Sequence, residues 1–152
     1  MKRLVVLIGM LITAAPAFAS TSDIQRVEAR IEALGVPVLW SNGHKVCDEE
    51  GLLGMYLFQK KTIVMCQENL SKHRQPILKT LQHEAWHAVQ FVCNDGDASI
   101  SDNKIRSLIT HQDRATIEKY YPPSQWRAEA EARALESLPT NAFLNGVNHY
   151  CR

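Results

Sequence analysis

His83, Glu84 and His87 make a His-Glu-x-x-His pattern inside the stretch Leu81-Gln82-His83-Glu84-Ala85-Trp86-His87-Ala88-Val89-Gln90. Residues four apart share one face of an α-helix. A helix here therefore sets two imidazoles side by side, an arrangement suited to holding one zinc ion. Glu84 lies one residue round from His83, within reach of a water activated by that ion, and is the candidate general base. Ile77, Leu78, Leu81, Ala85, Ala88, Val89 and Val92 recur at helical spacing, and the run lacks glycine; this predicts the helix. Pro76 is tolerated in a first turn, which puts the start near Gln75. The rival reading is two histidines fallen four apart on a partly buried helix. A lone histidine would deserve that reading; the full triplet in a long helical run favours the metal.

A catalytic zinc takes three protein ligands and keeps a fourth position for water. The run Trp126-Arg127-Ala128-Glu129-Ala130-Glu131-Ala132-Arg133-Ala134 is rich in strong helix formers and carries two acids, Glu129 and Glu131. Its rival reading is a surface helix laced by Glu–Arg pairs such as Glu129 with Arg133. With His83-Glu84-x-x-His87 upstream, the pair of phrases resembles the small gluzincin peptidases. Glu129-x-Glu131-Ala132 also resembles a phrase of the phage-repressor-cleaving and stress-response metallopeptidases. The resemblance covers the region from Thr62 to Leu138, and its specific core is these two phrases. It implies a glutamate on the second helix as third zinc ligand, taken from the position immediately before alanine. Both acids precede an alanine; alignment with the family phrase favours Glu131 over Glu129. Two residues apart, they point to different sides of a helix, so one ligates, while the other orients a histidine or is solvated. Tyr120, Tyr121, His111 and His149 qualify by type alone as donors to a developing oxyanion, and none is assigned. Trp86 and Trp126 are expected to pack, and His44 is expected to be an ordinary loop histidine.

These residues need a scaffold. Ser22-Asp23-Ile24-Gln25 resembles a capping box, Ile24, Val27, Ile31 and Leu34 mark a helical stripe, and Gly35 is a natural stop. Val36 to Trp40 suits a short or edge strand because Pro37 interrupts it. Gly54 to Phe58 and Thr62 to Cys66 flank Gln59-Lys60-Lys61 as a hairpin. Zincin-like peptidases place such a sheet with an edge strand along the cleft, where an extended peptide adds as a strand; the hairpin covering the core is the plainer alternative. Gln67 to Gln75 is expected to be a loop. Short helices are expected over Ile100 to Thr110 and Thr116 to Tyr121. A longer one is expected over Gln125 to Ser137, capped by Ser124, and a last short one over Asn141 to Asn145 before Gly146. The expected fold class is α+β, a small antiparallel sheet or hairpin packed on a zincin-type helix and a second ligand helix.

The chain has 152 residues. Met1-Lys2-Arg3, an apolar run from Leu4 to Ala15 and Ala17-Phe18-Ala19 follow the pattern of a secretory signal peptide. The expected division is signal peptide 1–19 and one domain over 20–152, secreted or periplasmic, with no membrane attachment after cleavage. Losing Lys2 and Arg3 takes the net charge from +1 to −1. There is no basic patch for nucleic acid, and nothing in the sequence fixes the oligomeric state. Four cysteines in an exported chain point to two disulfides. Cys66 ends the second hairpin strand, beside the start of the first, so Cys47–Cys66 is the expected bridge; Cys93 at the end of the motif helix is left for Cys151. The function expected is hydrolysis of peptide bonds in a peptide or protein substrate, with His83, His87 and Glu131 on zinc and Glu84 as base. The alternatives are an exported zinc-binding module or inactive pseudo-peptidase, and a hydrolase of cell-wall peptides.

Overall fold

In a computed structural model, residues 21–73 and 77–152 are described. The signal segment and the expected helix start at Gln75 lie outside them. The apolar stripe of the first helix turns inward in α1 (Thr21–Glu32), with Val27 and Ile31 fully buried. Gly35 follows at φ +80°, a left-handed conformation that glycine adopts without a Cβ penalty. Next come β1 (Val38–Ser41), a 3-10 turn (Lys45–Asp48), β2 (Gly54–Leu57) and β3 (Thr62–Cys66). Pro37 precedes β1, where its missing N–H costs no ladder bond, and its carbonyl accepts from Ile63 N.

β2 and β3 form the expected antiparallel hairpin, Gly54 opposite Met65 and Leu57 opposite Thr62. The sheet as a whole corrects the expectation of an antiparallel one. It is mixed, in the order β1-β3-β2, with β1 parallel to β3 from Val38–Ile63 to Ser41–Cys66. After β1 the chain crosses to the far edge, and the hairpin returns β3 into the gap in β1's own direction. Ile63 to Cys66 in that central strand are consequently buried.

The segment after β3 is a helix, α2 (Gln67–His73), where a loop was expected. α3 (Ile77–Cys93) carries the motif. Leu81 to Trp86 and Ala88 to Gln90 are all buried on it, the signature of a helix enclosed on every side. It packs against α1, β2 and β3, and against the later helices α6 (Trp126–Leu135) and α7 (Thr140–Tyr150). Between them lie α4 (Asp102–Leu108), capped by Ser101, and α5 (His111–Tyr120), begun by a Thr110–Asp113 capping box earlier than expected. Ser124 falls in a 3-10 turn (Pro123–Gln125) and makes no cap. α7 runs through Gly146, where a stop was expected. Its buried Phe143 and Val147 hold it in the core, and a Cβ at Gly146 would only touch the Trp86 ring at 3.5 Å. Among the described residues the chain is thus α+β, seven α-helices around a three-stranded sheet.

Both expected disulfides are present, Cys47–Cys66 and Cys93–Cys151. They span 19 and 58 residues, loops whose closure restricts the unfolded chain by about 3 and about 4 kcal/mol. The second ties the end of α7 to the end of α3. No helix among the described residues is long and apolar enough to cross a membrane.

Candidate metal centre

α3 presents His83 and His87 on one face, and α6 presents Glu129 to them. His83 Nε2 lies 3.2 Å from His87 Nε2 and 3.5 Å from Glu129 Oε2, and His87 Nε2 lies 3.3 Å from Glu129 Oε1. Zinc bonds of about 2.0–2.1 Å at tetrahedral angles place two ligand atoms roughly 3.3–3.4 Å apart. The separations match that spacing, with His83 facing Glu129 Oε2 and His87 facing Oε1. Glu129 Oε2 is buried without a hydrogen-bond partner, as a ligand oxygen would be. His83, His87 and Glu129 can therefore hold a metal ion, and their mixed imidazole and carboxylate character suits zinc.

The outer ring nitrogens are fixed as well. His83 Nδ1 stands 2.8 Å from Glu136 Oε2; a carboxylate only accepts, so Nδ1 carries a proton and Nε2 is the nitrogen that faces the metal position. His87 Nδ1 stands 2.9 Å from Gln90 Oε1. The Gln90 amide is oriented because its Nε2 donates to Ala128 O at 3.0 Å and Glu131 Oε2 at 2.7 Å. His87 is thereby held in the same tautomer.

The acids around His83 set its charge. Burial alone pushes this imidazole down, but Glu129, Glu136 and the charge of Glu84 outweigh it and hold it at about 9. Burial pushes the Glu129 carboxyl up, yet His83 and His87 bring it to about 2. The cluster attracts a cation, and a metal ion and the His83 proton compete for the same place.

Glu84 is buried beside the ligands and accepts a hydrogen bond from Tyr56 N of β2 at 2.8 Å. The strand comes this close because of Gly54, where a Cβ would sit 3.1 Å from Glu84 Cγ and 3.2 Å from Thr80 Cγ2. His83 and Glu84 open on a cavity of about 230 Å³, walled by the 51–54 loop, Lys79, Tyr121, Arg133 and Glu136.

The structure groups Glu129, and not the expected Glu131, with the two histidines. Two residues from Glu129, Glu131 faces away from the histidines, and its fully buried carboxylate accepts from Ser99 N at 2.6 Å, Ile100 N at 2.5 Å and Gln90. It pins the 94–100 loop and steadies Gln90. Of the four donors considered by type, Tyr121 alone lines the cavity; Tyr120 is exposed beneath Lys119, and His111 and His149 lie on the outer surface. Burial, and after it the charge of Glu129, pushes the Tyr121 phenol up to about 12. Trp126 does more than pack, since its Nε1 donates to Tyr121 O at 2.9 Å. Trp86 is a core residue edge-on to Phe143 and Tyr150, and His44 caps the 3-10 turn through Val46 N.

Gln90, Glu136, Lys79 and Arg133 were not anticipated. Helical spacing carried the signal: Lys79 and Gln90 flank the histidines on their stripe of α3, and Arg133 and Glu136 stand four and seven residues after Glu129.

A family model described as Domain of unknown function (DUF8637) matches residues 35–152. The chain belongs to this family. Comparison with curated proteins and with solved structures gives no match in either. The DUF8637 span takes in both metal-facing helices, the hairpin, the four cysteines and every residue of the cluster, whereas α1 precedes it.

Proposed function

We propose that this DUF8637 chain is a zinc-dependent peptidase working outside the cytoplasm. One observation carries the reading: two histidine nitrogens and the Glu129 carboxylate stand at zinc-tetrahedron spacing, with Glu84 and a cavity beside them. Bound zinc polarises a carbonyl and acidifies a water. Glu84 takes the proton of the attacking water and delivers it to the leaving amine. Tyr121, whose phenol stays protonated at neutral pH, donates to the developing oxyanion. Glu136 and Gln90 hold the imidazoles in place. The substrate is a peptide or protein, with no role for nucleic acid. Leu53 O accepts from Cys66 N of β3; by alternation Gly54 and Tyr56 turn their backbone groups to the other edge of β2, where Tyr56 N already donates to Glu84 and an extended peptide can lie along the remaining groups. The two disulfides fit an oxidising compartment.

The hydrogen bond from Tyr56 N gives Glu84 a structural task too, which favours a second reading, an exported zinc-binding module without catalysis. One experiment separates them. Purified protein should carry about one zinc per chain, lost in His83→Ala and His87→Ala, and should cut a casein-like substrate until a chelator stops it. Glu84→Gln should keep zinc and lose roughly a hundred- to ten-thousandfold in rate. A zinc-loaded wild type without hydrolytic activity would leave the module; Glu84→Gln cutting at the wild-type rate would remove Glu84 from the chemistry.

A further inference from the structure

The cavity beside the proposed metal ligands is lined by two cations, Lys79 and Arg133, and by two carboxylates, Glu84 and Glu136, the first of which already accepts from Tyr56 N. Arg133 stands four residues after the ligand Glu129 on α6, and Lys79 four before His83 on α3, so each helix sets a cation one turn from its metal ligand. Both line the cavity that His83 and Glu84 open on. Glu136 is the acid between them, and it is heavily shared. Oε2 is engaged by His83 Nδ1, and Oε1 serves both Lys79 Nζ at 3.0 Å and Arg133 Nη1 at 3.5 Å. Asp113 also lies near Arg133 and Lys79, but its Oδ2 is taken by Thr110 N and Oγ1. Arg133 also hydrogen-bonds the Tyr121 phenol, while its Nε is buried with no partner. A buried N–H left unpaired costs free energy that a ligand acceptor recovers. A guanidinium with spare donors matches a carboxylate better than any neutral group.

We propose that this cavity is a subsite for a carboxylate of the substrate, bound by Arg133 with Lys79 at its rim. The inference rests on the peptidase reading and names the substrate class for it: peptides with a negative charge close to the cleaved bond. A C-terminal carboxylate and an aspartate or glutamate side chain offer the same chemistry. The site selects for either without a new chemical step, by lowering the KM of acid-bearing peptides.

The test uses the zinc-loaded, disulfide-intact protein and three forms of one peptide set: neutral side chains with a free C-terminus, the same with a C-terminal amide, and the amide with one aspartate or glutamate at each position in turn. Cleavage gives KM and kcat, and binding is measured separately on zinc-loaded Glu84→Gln. At least one acid-bearing form should show a KM about ten- to a hundredfold below the neutral amide, from a charge-assisted hydrogen bond, with a matching gain in binding to Glu84→Gln. Preference for the free C-terminus alone makes the enzyme a trimmer of peptide ends; preference for the acidic side chain alone makes it internal-site selective. Arg133→Gln should bring the ratio near one, Arg133→Lys should restore part of it, and Lys79→Gln, at a half-exposed side chain, should reduce it. The wild-type ratio needs no variant, so misfolding of Arg133→Gln does not shelter the idea. Equal KM and binding for all forms, or a preference that survives Arg133→Gln, overturns the subsite and leaves the peptidase standing. Cleavage of none of them overturns the peptidase reading, and the subsite with it.

Discussion

Glu131→Gln tells the two acids of α6 apart. The wild-type carboxylate is fully buried and accepts from Gln90 Nε2 at 2.7 Å, Ser99 N at 2.6 Å and Ile100 N at 2.5 Å. All three partners are donors, so an amide in its place must turn its own N–H groups toward one of them. One charge-assisted bond is lost, worth about 1.5–3 kcal/mol, and the other two fall to neutral strength. Relief from burying a charge offsets part of this. The net loss is about 2–4 kcal/mol, which lowers the melting temperature by roughly 6–20 °C in a domain of this size. Zinc binding should suffer less. Glu131 reaches His87 only through Gln90, and even direct partners of a ligand change affinity by about ten- to a hundredfold; for Glu131→Gln a loss within about tenfold is expected. Glu129→Gln should lose more zinc affinity than Glu131→Gln, by more than about a hundredfold, because the proposed ligand carboxylate is gone. Thermal unfolding in chelator, paired with a chelator-competition titration, reads both quantities. Glu131→Gln that melts like wild type yet loses its zinc, beside Glu129→Gln that keeps it, would refute the argument and return Glu131 to the metal.

Two further substitutions probe the surroundings. Glu136→Gln leaves His83 Nδ1 without its carboxylate and should cost about ten- to a hundredfold in zinc affinity; an unchanged affinity in the same titration removes Glu136 from the positioning of His83. Gly146→Ala should raise the melting temperature, because alanine gains up to about 1 kcal/mol in a helix interior and its Cβ meets the Trp86 ring only at 3.5 Å; a lower value would show that the contact is tighter than that.

The parts legible in the sequence are those whose causes are local. The hairpin followed from two β-rich runs bounded by turn residues. The motif helix followed from its apolar spacing, and the disulfides from where Cys66 and Cys93 end their elements. What escaped depends on distant partners. α2 has a single fully buried apolar residue, Leu70, and so no stripe to read. It is held by Asn69, whose Nδ2 donates to the carbonyls of Cys47, Glu49 and Leu52. The parallel pairing of β1 is a long-range choice that no residue of Val38–Ser41 announces. α7 continues through Gly146 because Phe143 and Val147 on either side of it are buried in the core, Phe143 against Trp86, 57 residues away in the chain.

Which acid of α6 faces the histidines was hidden for a different reason. Both Glu129 and Glu131 are buried on α6, so burial does not single one out; the phase of the helix does. Glu129, Arg133 and Glu136 recur at helical spacing and meet the stripe of Lys79, His83 and His87. Lys79 near the start of α3 reaches Glu136 at the end of α6, while Gln90 near the end of α3 reaches Ala128 near the start of α6. The two helices therefore cross antiparallel, and their stripes run alongside each other. In that arrangement His83, His87 and Glu129 lie in the middle, the cations and the Glu136 carboxylate at one end, and Gln90 at the other. Glu131 lies off the α6 stripe, and its hydrogen bonds go to Gln90, Ser99 and Ile100. The local phrase around Glu131 carries no information about this crossing, and the crossing decides which acid the metal would meet.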